Sequence, residues 1–384
     1  MRIKLLKAIP IHYPLEDVFR AGTYQVSNRD TIVTVVVFEN GVTGETYGGD
    51  EDMEQDRVVG LINKEFQHFL VGRDIDSRED IAKVYDDLMN LPIDLGYRAL
   101  IDLDMGRHGI QQQALSLVDL VLWDGLGKLK NKPVTELLGG AKRTRLPVIS
   151  IGGYYHPNDP QGTADEAAKL REFGVGGLKM KVGRATFEED LARINAAWMS
   201  AGKDFMLAVD VNQGWTVSQA KTFCGQVSDL GLAWLEEPVK WYDCLTGLAE
   251  VRKESKIPIV AGQGDISQYR SCDLVRYGAV DQLNTDMTLV GGITAWMRVA
   301  EFAEQHGVIM GHHEEPQVSL TTLSVVKLNA PVEIFANEKR DPLWRNIMKN
   351  PPRVADGFMD VPDGIGLGIP LNWDFINKFT RNIM

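Results

Sequence analysis

LPVISIGGYYHPNDPQGTADEAAKLREFGVGGLKMKV, residues 146–182, reads as a strand, a helix and a second strand. LPVISIGG (146–153) and GLKMKV (177–182) are short β-rich runs, and TADEAAKLREFG lies between them with helical patterning. The texture then repeats. FMLAVDV (205–211), LAWLEEP (232–238), IPIVAGQ (257–263), VDQLNTD (280–286), GVIMGHH (307–313) and VEIF (332–335) bring the β-rich runs to eight, with starts roughly 23 to 31 residues apart. Eight strands at this spacing, with helical segments between several of them, predict a (β/α)8 barrel.

The residues before the barrel read as α+β. TIVTVVVFENGVTGETYGG (31–49) is a hairpin around Asn40 and Gly41, and helical periodicity follows at 56–71, 78–89 and 111–129. A Pro- and Gly-rich segment (350–370) follows the last strand. We therefore expect a first domain over 1–125, the barrel over 126–353, and a segment from about 354 to 384 returning to the first domain.

The chain of 384 residues carries a formal net charge of −12, with 44% hydrophobic and 24% charged residues. It can bury a core, and its charge argues against nonspecific binding to nucleic acid or anionic membrane. No run approaches the roughly 18 apolar residues of a membrane span. Cys224, Cys244 and Cys272 are odd in number and lack CxxC spacing, which suits reduced thiols in a cytoplasmic protein.

In barrels of this kind, chemistry lies at the C-terminal ends of the strands. Those ends read Lys179 and Lys181, Asp210 and Asn212, Glu236 and Glu237, Gln263 and Asp265, Asn284 and Asp286, His312 and His313, then Glu333. One polar strand end means little, but six in succession point to a site. Lys179 and Lys181 lie two apart on a strand and so face the same way, although two ammonium groups repel. Asp210, Glu236 and Asp265 sit on three adjacent strands and would also repel without a cation. An all-oxygen set favours a hard ion, Mg²⁺ over Zn²⁺.

Beside a metal and a second lysine, Lys181 is expected to lose proton affinity and serve as a base. Across the barrel, Asp286 would hold one ring nitrogen of His313 and fix its tautomer. By strand alternation, His312 should point away from the pocket. Glu333 offers a carboxyl to stabilise an oxyanion, the bland alternative being a salt bridge to Arg340 or Lys339. The whole set suits removal of the α-proton of a bound carboxylate substrate, giving an enediolate.

In KMK (179–181), DVN (210–212), EEP (236–238), AGQGD (261–265), DMTLVGGIT (286–294) and HEEPQ (313–317), with Glu333 twenty residues on, the sequence resembles the enolase superfamily in its mandelate racemase subgroup. The resemblance covers essentially the whole chain. It implies an α/β fold, a modified (β/α)8 TIM barrel with an N-terminal α+β capping domain. It implies Mg²⁺ on Asp210, Glu236 and Asp265. Lys181 is implied as one base with Lys179 assisting, His313 with Asp286 as the opposed base or acid, and Glu333 as electrophile. Asn212 matches a position near the site. Tyr24, Tyr47 and Asp50, in the capping loops AGTYQVSN and TYGGDE, are implied as specificity residues. The family commonly has Glu where Asp265 stands, so the loop here must make up one methylene of reach.

The expected reaction is dehydration of an acid sugar to a 2-keto acid. Racemisation or epimerisation by the same pair of groups, or dehydration of a cyclic substrate such as a hydroxyproline, is the alternative. A non-catalytic binding barrel would not need the intact constellation. The expected partners are a small carboxylate substrate and further copies of the chain in a homo-oligomer.

Overall fold

The computed structural model describes residues 1–49, 54–94, 105–155 and 159–381. It opens with an antiparallel sheet ordered β1-β2-β3, formed by Ile3–Arg20 (β1), Gln25–Phe38 (β2) and Thr43–Gly48 (β3). The hairpin read from the sequence is β2 and β3. Gly41 takes φ +85° at its turn, a conformation that costs glycine little. β1 was not legible, because Pro10 and Pro14 interrupt its run. They are tolerated on β1, an edge strand, where Pro10 pairs with Ile32.

The long helix Met105–Lys130 crosses this sheet, with Leu115, Leu117, Val118 and Leu122 buried. The approach is close at Gly44: a Cβ there would meet the Val121 carbonyl at 2.7 Å.

The second body is a barrel of parallel strands: Arg145–Gly152 (β4), Gly177–Lys181 (β5), Met206–Asp210 (β6), Leu235–Glu236 (β7), Ile259–Ala261 (β8), Gln282–Leu283 (β9), Ile309–Met310 (β10) and Val332–Ile334 (β11). Each lies within one of the eight β-rich runs, apart from the first residue of β4. β11 pairs back onto β4 and closes the circle. Between β10 and the residues leading to β11, the described pairing is the single bridge Met310–Asn329.

Helices follow the strands, from Pro160–Phe173 after β4 to Pro316–Val325 after β10. Between β11 and residue 350 the described residues give only the one-turn helix Leu343–Asn346, so the last repeat lacks a full helix. Inside the barrel, Ile149, Ala208, Trp234 and Val260 form a buried apolar floor below the polar strand ends.

The chain past 350 does not go straight back to the first sheet. Val354–Ala355 (β12) and Phe358–Asp360 (β13) form a hairpin, and β13 pairs antiparallel with β4. Contact with the first body comes later. Leu367 donates its N–H to Asp124 at 2.8 Å, Leu371 donates to Glu45 at 3.1 Å, and Phe379 packs on Tyr13 with ring centroids 4.5 Å apart. None of the helices among the described residues is long and apolar enough to cross a membrane.

Candidate active site

Strand register assembles the site. Lys179 pairs with Ala208 and Lys181 with Asp210, so both lysines share the face of Asp210; Asp210 in turn pairs with Glu236 on β7. Both lysines are buried, and each is held by carboxylates. Lys181 Nζ lies 2.6 Å from Asp210 Oδ2. Lys179 Nζ lies 2.8 Å from Glu236 Oε1 and 2.6 Å from Glu333 Oε1.

The expected loss of proton affinity was read beside a metal ion, and the protein's own carboxylates act the other way. Burial does push both ammonium groups down, but the carboxylates outweigh it, so both lysines are raised above the ordinary lysine value. The same contacts settle the partner of Glu333, which is Lys179 and not Arg340 or Lys339. Its other oxygen accepts the Glu314 N–H at 3.2 Å.

Asp210 and Glu236 are fully buried and densely hydrogen-bonded. Asn212 donates its backbone N–H to Asp210 Oδ1 at 2.8 Å and its side-chain amide to Oδ2 at 3.0 Å, so it orients Asp210. Trp234 and Asn284 donate to Glu236 at 3.0 and 2.9 Å. Burial still pushes Glu236 up to about 7, against the pull of Lys179. A carboxylate in that state would gain from a further cation.

Asp265 does not join them. Among the described residues, no three His, Cys, Asp or Glu side chains gather to hold a metal ion. Asp265 Oδ2 accepts from Ser271 at 3.1 Å and Oδ1 faces Arg270 at 3.8 Å, outside the strand ring. The chain turns here, with Gly262 at φ +121° and the Asp265 N–H on the Gly262 carbonyl at 3.2 Å, so strand alternation does not run on to Asp265. The residue delivered to the mouth is Gln263. It shares a cavity of about 370 Å³ with Tyr24, Asp286, His313 and Arg340. Gln263 Oε1 and Asn212 Oδ1 are buried without a hydrogen-bond partner. Two carboxylates and two unengaged amide oxygens fit a hard divalent cation such as Mg²⁺.

On the opposite side, His313 Nδ1 lies 3.1 Å from Asp286 Oδ2, and Nε2 lies 3.3 Å from Glu314 Oε1. Burial pushes the imidazole down, yet Glu314 and Asp286 overcome it and hold the ring up at about 10. With a carboxylate at each ring nitrogen, His313 is an imidazolium at neutral pH. Its neighbour His312 differs. Nε2 accepts the Met287 N–H at 2.8 Å and Nδ1 faces the Glu314 carbonyl at 3.1 Å, which makes a satisfied neutral ring. Glu314, unremarked in HEEPQ, thus lies in the candidate site against His313, where the sequence reading did not place it.

The capping residues divide. Tyr24 lines the mouth, with Lys181 Nζ 5.7 Å from its ring centroid. Tyr47 is buried behind the site, its hydroxyl on the Trp344 carbonyl at 3.4 Å, in a nook of only about 10 Å³. Asp50 lies outside the described residues.

Comparison with known proteins agrees with this architecture. Residues 11–139 match the "Mandelate racemase / muconate lactonizing enzyme, N-terminal domain" and residues 162–375 match "Enolase C-terminal domain-like". The D-galactarolactone cycloisomerase of Agrobacterium fabrum is 28% identical over 99% of this chain and 99% of its own. The arabinonate dehydratase of Saccharolobus solfataricus is 31% identical over 75% of this chain and 77% of its own. A solved mandelate racemase/muconate lactonizing enzyme from a marine actinobacterium, in complex with magnesium, superposes with a TM-score of 0.88 at 35% identity, covering 99% of each chain.

Proposed function

The chain belongs to the enolase superfamily, in its mandelate racemase/muconate lactonizing enzyme family, and from that premise we propose that it dehydrates an acid sugar to a 2-keto acid. The relatives at this level of identity include dehydratases, cycloisomerases and a racemase. The choice among them therefore rests on this chain's own residues.

The observation that carries the reading is the pair of carboxylates on His313. An imidazolium held at both nitrogens is a proton donor, and a donor is what a departing hydroxide requires. Lys181, across the mouth, is the base: a divalent cation on Asp210 would draw off the carboxylate that holds its proton, and the neutral amine is the form that reacts. The α-proton passes to Lys181 and leaves an enediolate. The enediolate expels the β-hydroxyl, which takes a proton from His313 and leaves as water. The resulting enol gains a proton on carbon, releases its hydroxyl proton and so becomes the 2-keto acid. Lys179 stays paired with Glu333 beside the developing anion and adds positive charge.

Asp210 and Glu236 would hold Mg²⁺, with the Gln263 amide oxygen as the third side-chain donor in place of Asp265. The ion, when bound, supplies charge that acidifies the α-proton and steadies the enediolate. Gln263 is neutral, so this donor set carries one negative charge fewer than three carboxylates.

The test is a panel of mono- and diacid sugars, hydroxyprolines and simple 2-hydroxy acids, incubated with the protein and Mg²⁺ in D₂O. Keto acid from one stereochemical series supports dehydration. Deuterium at the α-carbon with inversion and no keto acid would replace it with racemisation or epimerisation.

A further inference from the structure

Among the described residues, Arg340 is a buried cation with no carboxylate paired to it. It follows β11 and is 3% exposed. Its Nε and Nη1 are buried and have no hydrogen-bond partner. No carboxylate of the described residues is ion-paired with it. The neighbouring Arg29, by contrast, meets Asp341 at 2.9 Å and Glu314 at 3.5 Å. Burying an unpaired guanidinium is costly, so a chain that keeps one has a reason outside its own fold.

The guanidinium is fixed in place. Its Cζ lies 4.3 Å from the Phe335 ring centroid and 5.2 Å from that of Tyr154. The Tyr154 hydroxyl is also buried and unpartnered. Lys181 Nζ lies 5.9 Å from the centroid of the same Tyr154 ring. One aromatic ring therefore stands between the proposed base and the unpaired guanidinium. Arg340 lines the mouth cavity together with Tyr24 and Gln263, and at about 370 Å³ that cavity can hold a five- or six-carbon acid.

We propose that Arg340, aided by the Tyr154 hydroxyl, binds a second carboxylate at the far end of the substrate, so that the preferred substrates are sugar diacids. This rests on the reading of the site as one for acid sugars. A single unpaired cation matches one negative charge, and a planar guanidinium matches a carboxylate in two-point geometry. Arg29 and Glu314 are already engaged with each other across the same wall, so Arg340 is the group there with charge to spare.

The test measures binding and turnover separately, so that failure of the dehydration chemistry does not hide the result. Calorimetry with Mg²⁺ compares an aldarate, the aldonate that differs only in its terminal carbon, and the aldonate 6-phosphate. The wild type should bind the aldarate at least ten-fold more tightly than the aldonate. Arg340→Met, which keeps volume and removes charge, should lose that preference while binding the aldonate as before, and Arg340→Lys should recover part of it. Where turnover is seen, the loss should fall mainly on KM for the aldarate. Equal binding of aldarate and aldonate by the wild type, tighter binding of the 6-phosphate, or an equal loss on both acids in Arg340→Met would overturn the proposal. Binding with the expected preference but no keto acid would leave the anion site standing and remove the dehydratase reading.

Discussion

Lys181 Nζ and Asp210 Oδ2 meet at 2.6 Å, both buried, at the ends of adjacent strands. The oxygen that neutralises the base is thus one that would also serve a divalent cation, and the two cations share one carboxylate. Removing the lysine should favour the metal. Lys181→Met is expected to bind Mg²⁺ several-fold more tightly than the wild type by titration calorimetry, and to gain more in melting temperature on adding Mg²⁺. It should also be less stable without added metal, by about 3 kcal/mol, because breaking a buried pair strands its partner. An unchanged or weaker Mg²⁺ affinity would separate Asp210 from the metal site.

The donor set makes a second prediction. Gln263→Glu adds a charge to the ligand ring and should tighten Mg²⁺ binding about ten-fold or more, while Gln263→Leu should weaken it. Asp265→Asn should leave it unchanged, since Asp265 bonds to Ser271 and faces Arg270. Metal titration of the three variants decides this. A large loss in Asp265→Asn with none in Gln263→Leu would restore the aspartate read from the sequence.

His313 makes a third. Its value is raised to about 10, above its ordinary one, so the stability it contributes is complete below about pH 6.5 and is lost as pH rises toward 10. Asp286 is depressed, so its contribution is present above about pH 4 and lost on acidification. The melting-temperature gap between wild type and His313→Gln should therefore narrow from pH 7 to pH 10. Glu314→Gln removes the carboxylate at Nε2. The alkaline limb of kcat should then move to lower pH, by about a unit or more, as the imidazolium loses one of its holders. A limb that stays in place would show that Glu314 does not set the proton affinity of His313.

These residues also show what the sequence could carry. The barrel was legible because each strand announces itself in a short β-rich run, and because period two puts Lys179, Lys181 and Asp210 on one face. β1 was hidden by Pro10 and Pro14, which an edge strand tolerates and a central strand would not. Asp265 was read as the third metal ligand because it is an acid where the family commonly has Glu, and nothing in AGQGD reveals that the chain turns at Gly262, with φ +121°. The lysines were read beside a metal and each other, whereas folding also places a carboxylate on each. Arg340 carries no pattern at all. It lies in a loop after the last strand, and only its burial without a partner marks it.

The central claim is a division of labour, with Lys181 taking the α-proton and His313 giving a proton to the leaving hydroxide. The most direct measurement is α-hydrogen exchange in D₂O with an accepted substrate, read by NMR alongside 2-keto acid, for Lys181→Met and His313→Asn. The account predicts that Lys181→Met shows neither exchange nor keto acid. It predicts that His313→Asn still exchanges the α-hydrogen while keto acid falls by about a hundred-fold or more. Exchange that survives in Lys181→Met and vanishes in His313→Asn would contradict it and reverse the two roles.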